Sequence, residues 1–387
     1  MPGRPKIPEQ ERFKLWVRAG GRCQICRRYL LEGQLAYREL TFGEAAHIIG
    51  QTASPKSPRG LDEDLDQAAR DSADNLMLLC DDEHSELDKL GSRDAFTPEF
   101  LRQLKYKHEE RVRHVTGFGE YDRTTPIRMV GMLRGRAVDV GRDAVATAVM
   151  ANAGRMPKFD LSVRHSIEID IRNIPGEEGP SSAYYESACA AIDKAIGTKV
   201  TEALSNDDIV HLSVFAFARL PLLVYLGAAL DDTVPVDLYQ RHRATENWQW
   251  TNPDAEATFS LSAPTKGEDF DSAVLILNIS GTIERRELPD ALASLPTFGI
   301  EVKGIAHPDI ISGPNVLVGF VKACRLFLSE LEDGFKRVRL LHVFAAMPVS
   351  AAVAFGRCLA PEVHPAIQLC DRQNDGHYTT AIRIGAQ

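Results

Sequence analysis

The chain has 387 residues, 44% of them apolar and 26% charged, which is the composition of a globular protein with two or three domains. The net charge of −9 does not exclude a nucleic-acid partner, because basic residues cluster in the segment 100–113. The N-terminus lacks an apolar leader, and Arg219 and Pro221 interrupt the longest apolar run. These features argue against a signal peptide and a membrane span, and they predict a cytoplasmic protein.

The first third of the chain predicts a small mixed unit. A helix is expected over 8–19, stopped by Gly20, and two short strands within 35–49, the second ending at His47. Proline, glycine and acidic residues mark 51–72 as a surface loop. A short apolar strand from Leu76 leads into a helix, and Thr97 caps a further helix that ends near Gly117.

The rest of the chain alternates strands with helices after a linker at 117–125. Strands are predicted at 127–133, 166–171, 211–218, 235–239, 273–280, 299–302, 340–345, 366–370 and 379–383. Helices are predicted at 139–151, 181–203, 221–230, 314–333 and 349–358. This alternation predicts an α/β domain with a largely parallel sheet. A strand, a proline-containing turn and a small-residue helix occur twice, which suggests an internal duplication of a nucleotide-binding unit.

Cysteines in the first third have the spacing of a metal site. Cys23 and Cys26 are two residues apart, and Cys80 supplies a distant third thiolate, a combination that suits tetrahedral zinc. The other four cysteines follow no regular spacing and are expected in apolar cores. An odd total of seven argues against a disulfide framework and for a reducing compartment.

Histidines and an asparagine lie between and beside these cysteines. His47 ends its strand, Asn75 precedes the next strand, and His84 with Asp88 lie four apart on the following helix, so that both can bind one cation. The order resembles the HNH nuclease family over about 20–88. The resemblance implies that His47 is the general base, that Asn75 orients the loop bearing His47 or holds the ion, and that Mg²⁺ or Mn²⁺ binds near His84.

Two positions depart from the commonest HNH pattern. Ala46 stands where many members carry an acidic metal ligand, which leaves the ligands of the catalytic ion open. A second CxxC is absent, so the fourth zinc ligand is Glu83 or His84. Zinc's preference for imidazole favours His84, and His84 would then be lost to the catalytic ion.

The C-terminal part resembles the SAVED domain, a sensor of cyclic oligonucleotides related to two fused CARF units. The resemblance rests on 212–227, 236–243 with 248–250, 279–281 and 342–357. Ligands of α/β sheets lie beyond the carboxyl ends of strands, near helix N-termini. The turns at such positions make Arg219, Pro221, Ser280, Gly281, Pro348 and Ser350 candidate ligand-binding residues. Arg241 could pair with a phosphate, and Trp248 and Trp250 could stack on a purine. Core packing is the alternative for both tryptophans.

The predicted fold is an α+β zinc-containing ββα-metal (HNH) domain followed by an α/β SAVED domain of two fused CARF/Rossmann-like units. The expected boundaries are 1–118 for the HNH domain, 119–159 for a linker and connecting segment, and 160–387 for the SAVED domain. An HNH nuclease joined to a SAVED sensor is the layout of an effector in CBASS, a bacterial anti-phage system.

The resemblance implies a metal-dependent endonuclease that cuts double-stranded DNA when a cyclic di- or trinucleotide binds and the chain forms a homo-oligomer. Structural Zn²⁺ and catalytic Mg²⁺ or Mn²⁺ are the implied metals. Two alternatives remain at this point. One is a DNA-binding regulator that has lost catalysis, and the other is a restriction-type nuclease whose C-terminal domain recognises DNA.

Overall fold

A computed structural model of the chain describes residues 6–32, 41–88, 95–117, 119, 122–133, 135–138, 140–152, 154–159, 167–201, 209–230, 234–264 and 270–385. The chain divides into two compact units, 1–118 and 119–387. Each unit has its own apolar core, as expected for a chain of this length.

The N-terminal unit is a ββα arrangement flanked by two helices. Its elements are α1 (Glu9–Ala19), β1 (Gly43–His47), β2 (Leu76–Cys80), α2 (Asp81–Asp88) and α3 (Pro98–Thr116), with short helical turns at Gln67–Arg70 and Ala73–Asn75. Strands β1 and β2 pair antiparallel, with His47 opposite Leu76 and Gly43 opposite Cys80. Every residue of β2 is buried, which explains its unbroken apolar sequence.

The predicted helix limits of this unit are confirmed. Helix α1 ends at Gly20, whose φ of 61° is the left-handed conformation that terminates helices. Thr97 caps α3, since its hydroxyl accepts a hydrogen bond from the Phe100 amide. Of the two strands predicted within 35–49, the second is β1, and the first falls mainly on 33–40, outside the described residues.

The described part of the C-terminal unit contains two large sheets and a small antiparallel pair, formed by Met132–Leu133 and Arg136–Ala137. Its strands are β3 (Arg123–Val130), β4 (Met132–Leu133), β5 (Arg136–Ala137), β6 (Met156–Pro157), β7 (Ile167–Asp170), β8 (Leu212–Phe217), β9 (Val236–Leu238), β10 (Phe259–Ser262), β11 (Ser272–Asn278), β12 (Thr297–Val302), β13 (Leu340–Ala346), β14 (Ala366–Arg372) and β15 (Tyr378–Ile384). Its main helices are α4 (Arg142–Asn152), α5 (Ser182–Ala195, continued as a π-helix over Ile196–Thr201), α6 (Leu220–Leu230), α7 (Pro314–Gly334) and α8 (Val349–Cys358). Short helical turns cover Arg285–Glu287 and Asp290–Ala293.

The two sheets repeat one topology. In the first sheet the parallel strand order is β7-β3-β8-β9, and in the second it is β12-β11-β13-β14. Helix α5 precedes β8 as α7 precedes β13, and α6 follows β8 as α8 follows β13. The predicted duplication is therefore visible in the fold. The second sheet has two further antiparallel strands, β10 beside β12 and β15 beside β14.

The predicted boundary at residue 160 is wrong for the fold. The segment 119–159 contains β3, which lies in the middle of the first sheet and pairs with β8 from Thr125 to Val130. Its residues from 124 to 130 are buried. This segment is part of the second unit, and little of it is a linker.

Helices α6 and α8 join the two repeats through a pair of glycines. A Cβ added at Gly227 would lie 2.1 Å from the carbonyl oxygen of Val353, and one added at Gly356 would lie 2.0 Å from that of Val224. Each glycine is the eighth residue of its helix. Only glycine permits the two helix backbones to come this close. The repeats therefore pack against each other at the same position of each helix.

Within the described ranges, no helix combines the length and the apolar character that a membrane span requires.

Candidate functional site

The three N-terminal cysteines form one cluster. Their sulfur atoms all lie within 4.8 Å of one another, and the Cys26 and Cys80 sulfurs are 3.7 Å apart. The cluster forms because the turn after α1 places Cys23 and Cys26 against the end of β2, where Gln24 accepts a hydrogen bond from the Leu78 amide. Three soft donors at this spacing fit zinc.

Burial and backbone hydrogen bonds act in opposite directions on the cysteine thiols of this cluster. Although part of the Cys26 residue faces solvent, desolvation around its sulfur raises the pKa of the thiol to about 12. Burial likewise raises the pKa of Cys80. The backbone N–H groups of Arg28 and Glu83 donate to these two sulfurs and act in the opposite direction. Burial thus favours the neutral thiols, and a metal that binds here would have to displace their protons.

His47 pairs with a carboxylate that the sequence analysis did not identify. Its Nε2 lies 3.0 Å from Oδ1 of Asp71, and the second oxygen of Asp71 accepts a hydrogen bond from Gln67 at 2.7 Å. A carboxylate acceptor places the imidazole proton on Nε2 and leaves the Nδ1 lone pair to take a proton. The His47 side chain retains 14% exposure, enough to meet a water molecule.

Asn75 fixes the loop that follows His47. Its amide nitrogen donates to the carbonyls of Ile49 and Arg70, and its Oδ1 accepts from the Ile49 amide. Asn75 is 5% exposed. Of the two roles that the sequence left open, the structure favours orientation of the loop, because the side chain is occupied by backbone groups.

His84 lies between two carboxylates. Its Nδ1 is 2.5 Å from Oε2 of Glu44, and its Nε2 is 3.6 Å from Oδ2 of Asp88. The cysteine cluster does not include it, in the part of the chain that the structure describes. The same holds for Glu83, so the choice between these two zinc ligands stays open, and the His84 imidazole lies against Glu44 and Asp88.

Arg59 connects the two histidine-bearing elements. Its guanidinium donates to the carbonyls of Ile48 at 2.7 Å, His47 at 3.3 Å and Leu87 at 3.5 Å. One buried side chain thus holds the end of β1 beside the end of α2, where Asp88 lies. The sequence of the loop 51–72 did not predict this role for Arg59, because a single basic residue in a loop indicates no particular partner.

The strand-end face of the second unit carries the other predicted residues. In the first repeat, the Gly131 amide after β3 donates to the carbonyl of Phe217 at the end of β8, at 2.7 Å. In the second repeat, the Ile279 amide after β11 donates to the carbonyl of Ala346 at the end of β13, at 2.9 Å. Ser280 and Gly281 follow at this edge and are half-buried. They lie where parallel α/β sheets bind ligands.

Arg219 is a buried ion-pair residue and not an open phosphate ligand. It is 1% exposed, its Nη1 lies 2.7 Å from Oδ2 of Asp371, and its Nε lies 3.0 Å from Oε1 of Glu177. Burial alone would lower the pKa of Arg219, but these two carboxylates raise it. Tyr185 also donates to Asp371, at 2.6 Å. The network joins the first repeat to β14 of the second.

A second contact between the repeats occupies another predicted residue. Ser350, at the start of α8, donates from its hydroxyl at 2.8 Å and from its amide at 3.2 Å to Gln240, which follows β9. Ser350, Pro348 and Pro221 are buried. These residues organise the strand-end face without lying open on it.

Trp248 packs in the core, which is the alternative to ligand binding that the sequence left open for it. It is 2% exposed and meets Phe215 edge-on at 5.3 Å between ring centroids. Arg241 is half-buried and donates to the Glu246 carbonyl at 3.2 Å. Trp250 is half-buried and lines a cavity of about 610 Å³. The structure therefore does not bring Trp248, Trp250 and Ser280 to one surface.

Comparison with protein families assigns the C-terminal unit. Residues 192–384 match the family described as "SMODS-associated and fused to various effectors sensor domain". This segment is a SAVED domain. The match begins within α5, and strands β3 and β7 of the first sheet precede it in the chain.

Solved structures with similar folds include Cap4 SAVED/CARF-domain containing receptors. That of Acinetobacter baumannii with the cyclic trinucleotide 2'3'3'-cAAA has 15% identity and a TM-score of 0.45, over 78% of this chain and 62% of that chain. The Moraxella osloensis receptor has 15% identity and a TM-score of 0.43, over 78% and 60%. The chain thus spans about three fifths of their length. A comparison with curated proteins gave no match.

Proposed function

We propose that the N-terminal unit is a metal-dependent DNA endonuclease of the HNH type, and that the SAVED domain activates it on binding a cyclic oligonucleotide. The observation that carries the nuclease assignment is the His47–Asp71 pair at the end of a ββα hairpin whose helix bears His84 and Asp88. A general base held by a carboxylate and a histidine–carboxylate pair that can bind a hard cation, both on one ββα element, are the groups that phosphodiester hydrolysis requires.

The residues divide the chemistry between them. His47 takes the proton of the attacking water at Nδ1, while Asp71 holds the ring and stabilises the imidazolium that forms. His84 and Asp88 would hold Mg²⁺ or Mn²⁺, which supplies charge neutralisation at the scissile phosphate. Glu44 accepts the Nδ1 proton of His84 and directs Nε2 towards that ion, as carboxylates do behind metal-binding histidines.

Zinc has a separate, structural role in this proposal. Cys23, Cys26 and Cys80 would hold it, and neither Glu83 nor His84 lies in this cluster among the described residues. The three cysteines would hold the turn against β2 through this metal, and β2 leads directly into the helix of His84.

The SAVED domain supplies the regulatory part. We place the cyclic di- or trinucleotide on the strand-end face near Ser280 and Gly281, because both repeats reverse strand order there. Ligand binding then drives homo-oligomerisation, which brings two nuclease units to one double-stranded DNA in anti-phage defence. The Arg219–Asp371 and Gln240–Ser350 contacts link the repeats beside this face and are the contacts that a ligand would shift.

The nuclease part is tested by incubating supercoiled plasmid with the activated wild-type chain and with His47→Ala, after matching their zinc content and thermal unfolding. Loss of the base should slow cleavage by roughly 10²–10⁴-fold. A His47→Ala chain that cleaves at the wild-type rate would remove His47 from the chemistry.

A further inference from the structure

The cavity of about 610 Å³ lies along the edge of the first sheet. One wall is β9 with Tyr239, and the facing wall consists of α7 and α8. The four consecutive residues 236–239 all line it. Because side chains of a strand alternate between faces, this lining shows that the cavity faces the edge of β9 and not one of its faces.

The edge of β9 carries open backbone groups. The Leu212 amide donates to the carbonyl of Pro235, and the Tyr239 amide donates to the carbonyl of Val214. In a parallel pair, every second residue of a strand turns its N–H and C=O groups towards the neighbouring strand. The N–H and C=O groups of Val236 and Leu238 therefore point away from β8. Among the described residues, the structure records no hydrogen bond to either of them.

The second repeat shows what occupies the corresponding place. There the outer edge of β14 pairs with β15 from Ile367 to Arg372. Strand β15 also packs on α5 and α6, which are the counterparts of α7 and α8. The cavity beside β9 is thus the position of an outer strand, equivalent to β15, that the first repeat lacks in the described part of the chain.

We propose that this cavity, the β9 groove, binds an extended acidic segment of a partner protein as an added antiparallel strand. The outward amides and carbonyls of Val236 and Leu238 would pair with its backbone, as in other cases of strand addition. Apolar side chains of α7, with Leu317 and Val318 among them, would contact alternate residues of the segment.

The charge of the groove identifies the chemistry of the segment. Its walls bear four cationic side chains and one carboxylate, namely Arg155, Lys322, Arg325, Arg357 and Asp237. Asp237 is already paired with Arg155 at 3.6 Å. Arg357 donates to the Val234 carbonyl at 3.2 Å, a neutral partner that leaves its charge in place. The net positive charge of the lining favours glutamate and aspartate on the incoming strand.

The test is a selection of phage-displayed random peptides of about ten residues on the immobilised full-length chain. Selected peptides are synthesised with a fluorophore and titrated by anisotropy against wild type and Lys322→Glu/Arg325→Glu. Both of these residues are exposed, so the change should not disturb folding. Lys303→Glu/Lys336→Glu, also exposed, makes the same change of charge away from the groove. Hydrogen exchange of the segment 234–240 is followed with and without peptide.

We expect acidic peptides whose Kd rises by about tenfold or more in the groove variant and is unchanged in the control variant, with slower exchange at Val236 and Leu238. Failure to select acidic peptides, or binding that the two variants weaken equally, would overturn the proposal. So would binding without protection of these amides. Displacement of the peptide by ATP, with ATP itself bound and no amide protected, would reassign the groove to small anions.

Discussion

The Nε2 atom of His47 lies 3.0 Å from the Oδ1 atom of Asp71, so the proposed base of the nuclease unit is held by a buried carboxylate 24 residues away in sequence. The contact fixes the orientation of the His47 ring and leaves its Nδ1 atom to accept a proton. It is the contact on which the proposed chemistry depends most.

Asp71→Asn should lower the rate of plasmid cleavage by roughly 10–100-fold, because an amide holds the imidazole less well and does not stabilise its charged form. The double variant His47→Ala/Asp71→Asn should be no slower than His47→Ala alone, since Asp71 acts through His47. Asp62→Asn, an exposed carboxylate on the same loop, is the matched control. Fully additive losses would show that Asp71 acts elsewhere.

Cys80→Ser should yield a chain without bound zinc and with an unstable N-terminal unit, because binding of a structural zinc contributes directly to folding. Metal content by mass spectrometry and thermal unfolding measure both effects. Cys189→Ser, in the other unit, should keep the zinc. Stoichiometric zinc in purified Cys80→Ser, or none in the wild type, would contradict the zinc assignment.

Arg219→Met should destabilise the SAVED domain by about 3–5 kcal/mol, because it leaves the carboxylates of Glu177 and Asp371 buried without their cation. The triple variant Arg219→Met/Glu177→Gln/Asp371→Asn should recover much of that loss. Urea unfolding provides the comparison, and Arg172→Met, which breaks an exposed pair with Asp170, should cost less than about 1 kcal/mol. A loss of that small size for Arg219→Met would mean that the network is not buried.

Acid should destabilise the SAVED domain through its buried histidines. Burial lowers the pKa of His242, which is 1% exposed. Between that lowered pKa and the ordinary value near 6.5, the unfolded chain binds a proton that the native chain does not, so stability falls as the pH falls. Urea unfolding between about pH 7.5 and about pH 5.5 should show a smaller loss for His242→Leu than for the wild type. Equal losses would exclude His242 as a contributor.

Much of the α/β architecture could be predicted because each central strand is a buried apolar run followed by a helix. The strands β8, β11 and β13 appear within a few residues of their predicted limits. Strand β10 was not predicted, because Phe259–Ser262 is short, only partly buried and paired at an edge. The boundary at 160 failed because nothing local shows that β3 pairs with a strand some 87 residues later.

The candidate sites were predicted as residue types and not as contacts. Arg219 was singled out correctly as unusual in an apolar run, yet its partners lie 42 and 152 residues away, and they decide its role. The choice between two roles for His84 likewise depends on Glu44, 40 residues earlier. Such pairings arise from tertiary packing, which periodicity and spacing do not report.

The most direct test is cleavage of supercoiled plasmid by the full chain in Mg²⁺ or Mn²⁺, with and without added cyclic di- and trinucleotides, while light scattering follows its mass. The account predicts an inactive free protein and, with one of these nucleotides, double-strand cleavage together with a larger assembly. A shift from almost fully off to almost fully on requires about 5.5 kcal/mol of differential binding. Full cleavage without nucleotide, or activation without any change in mass, would contradict it.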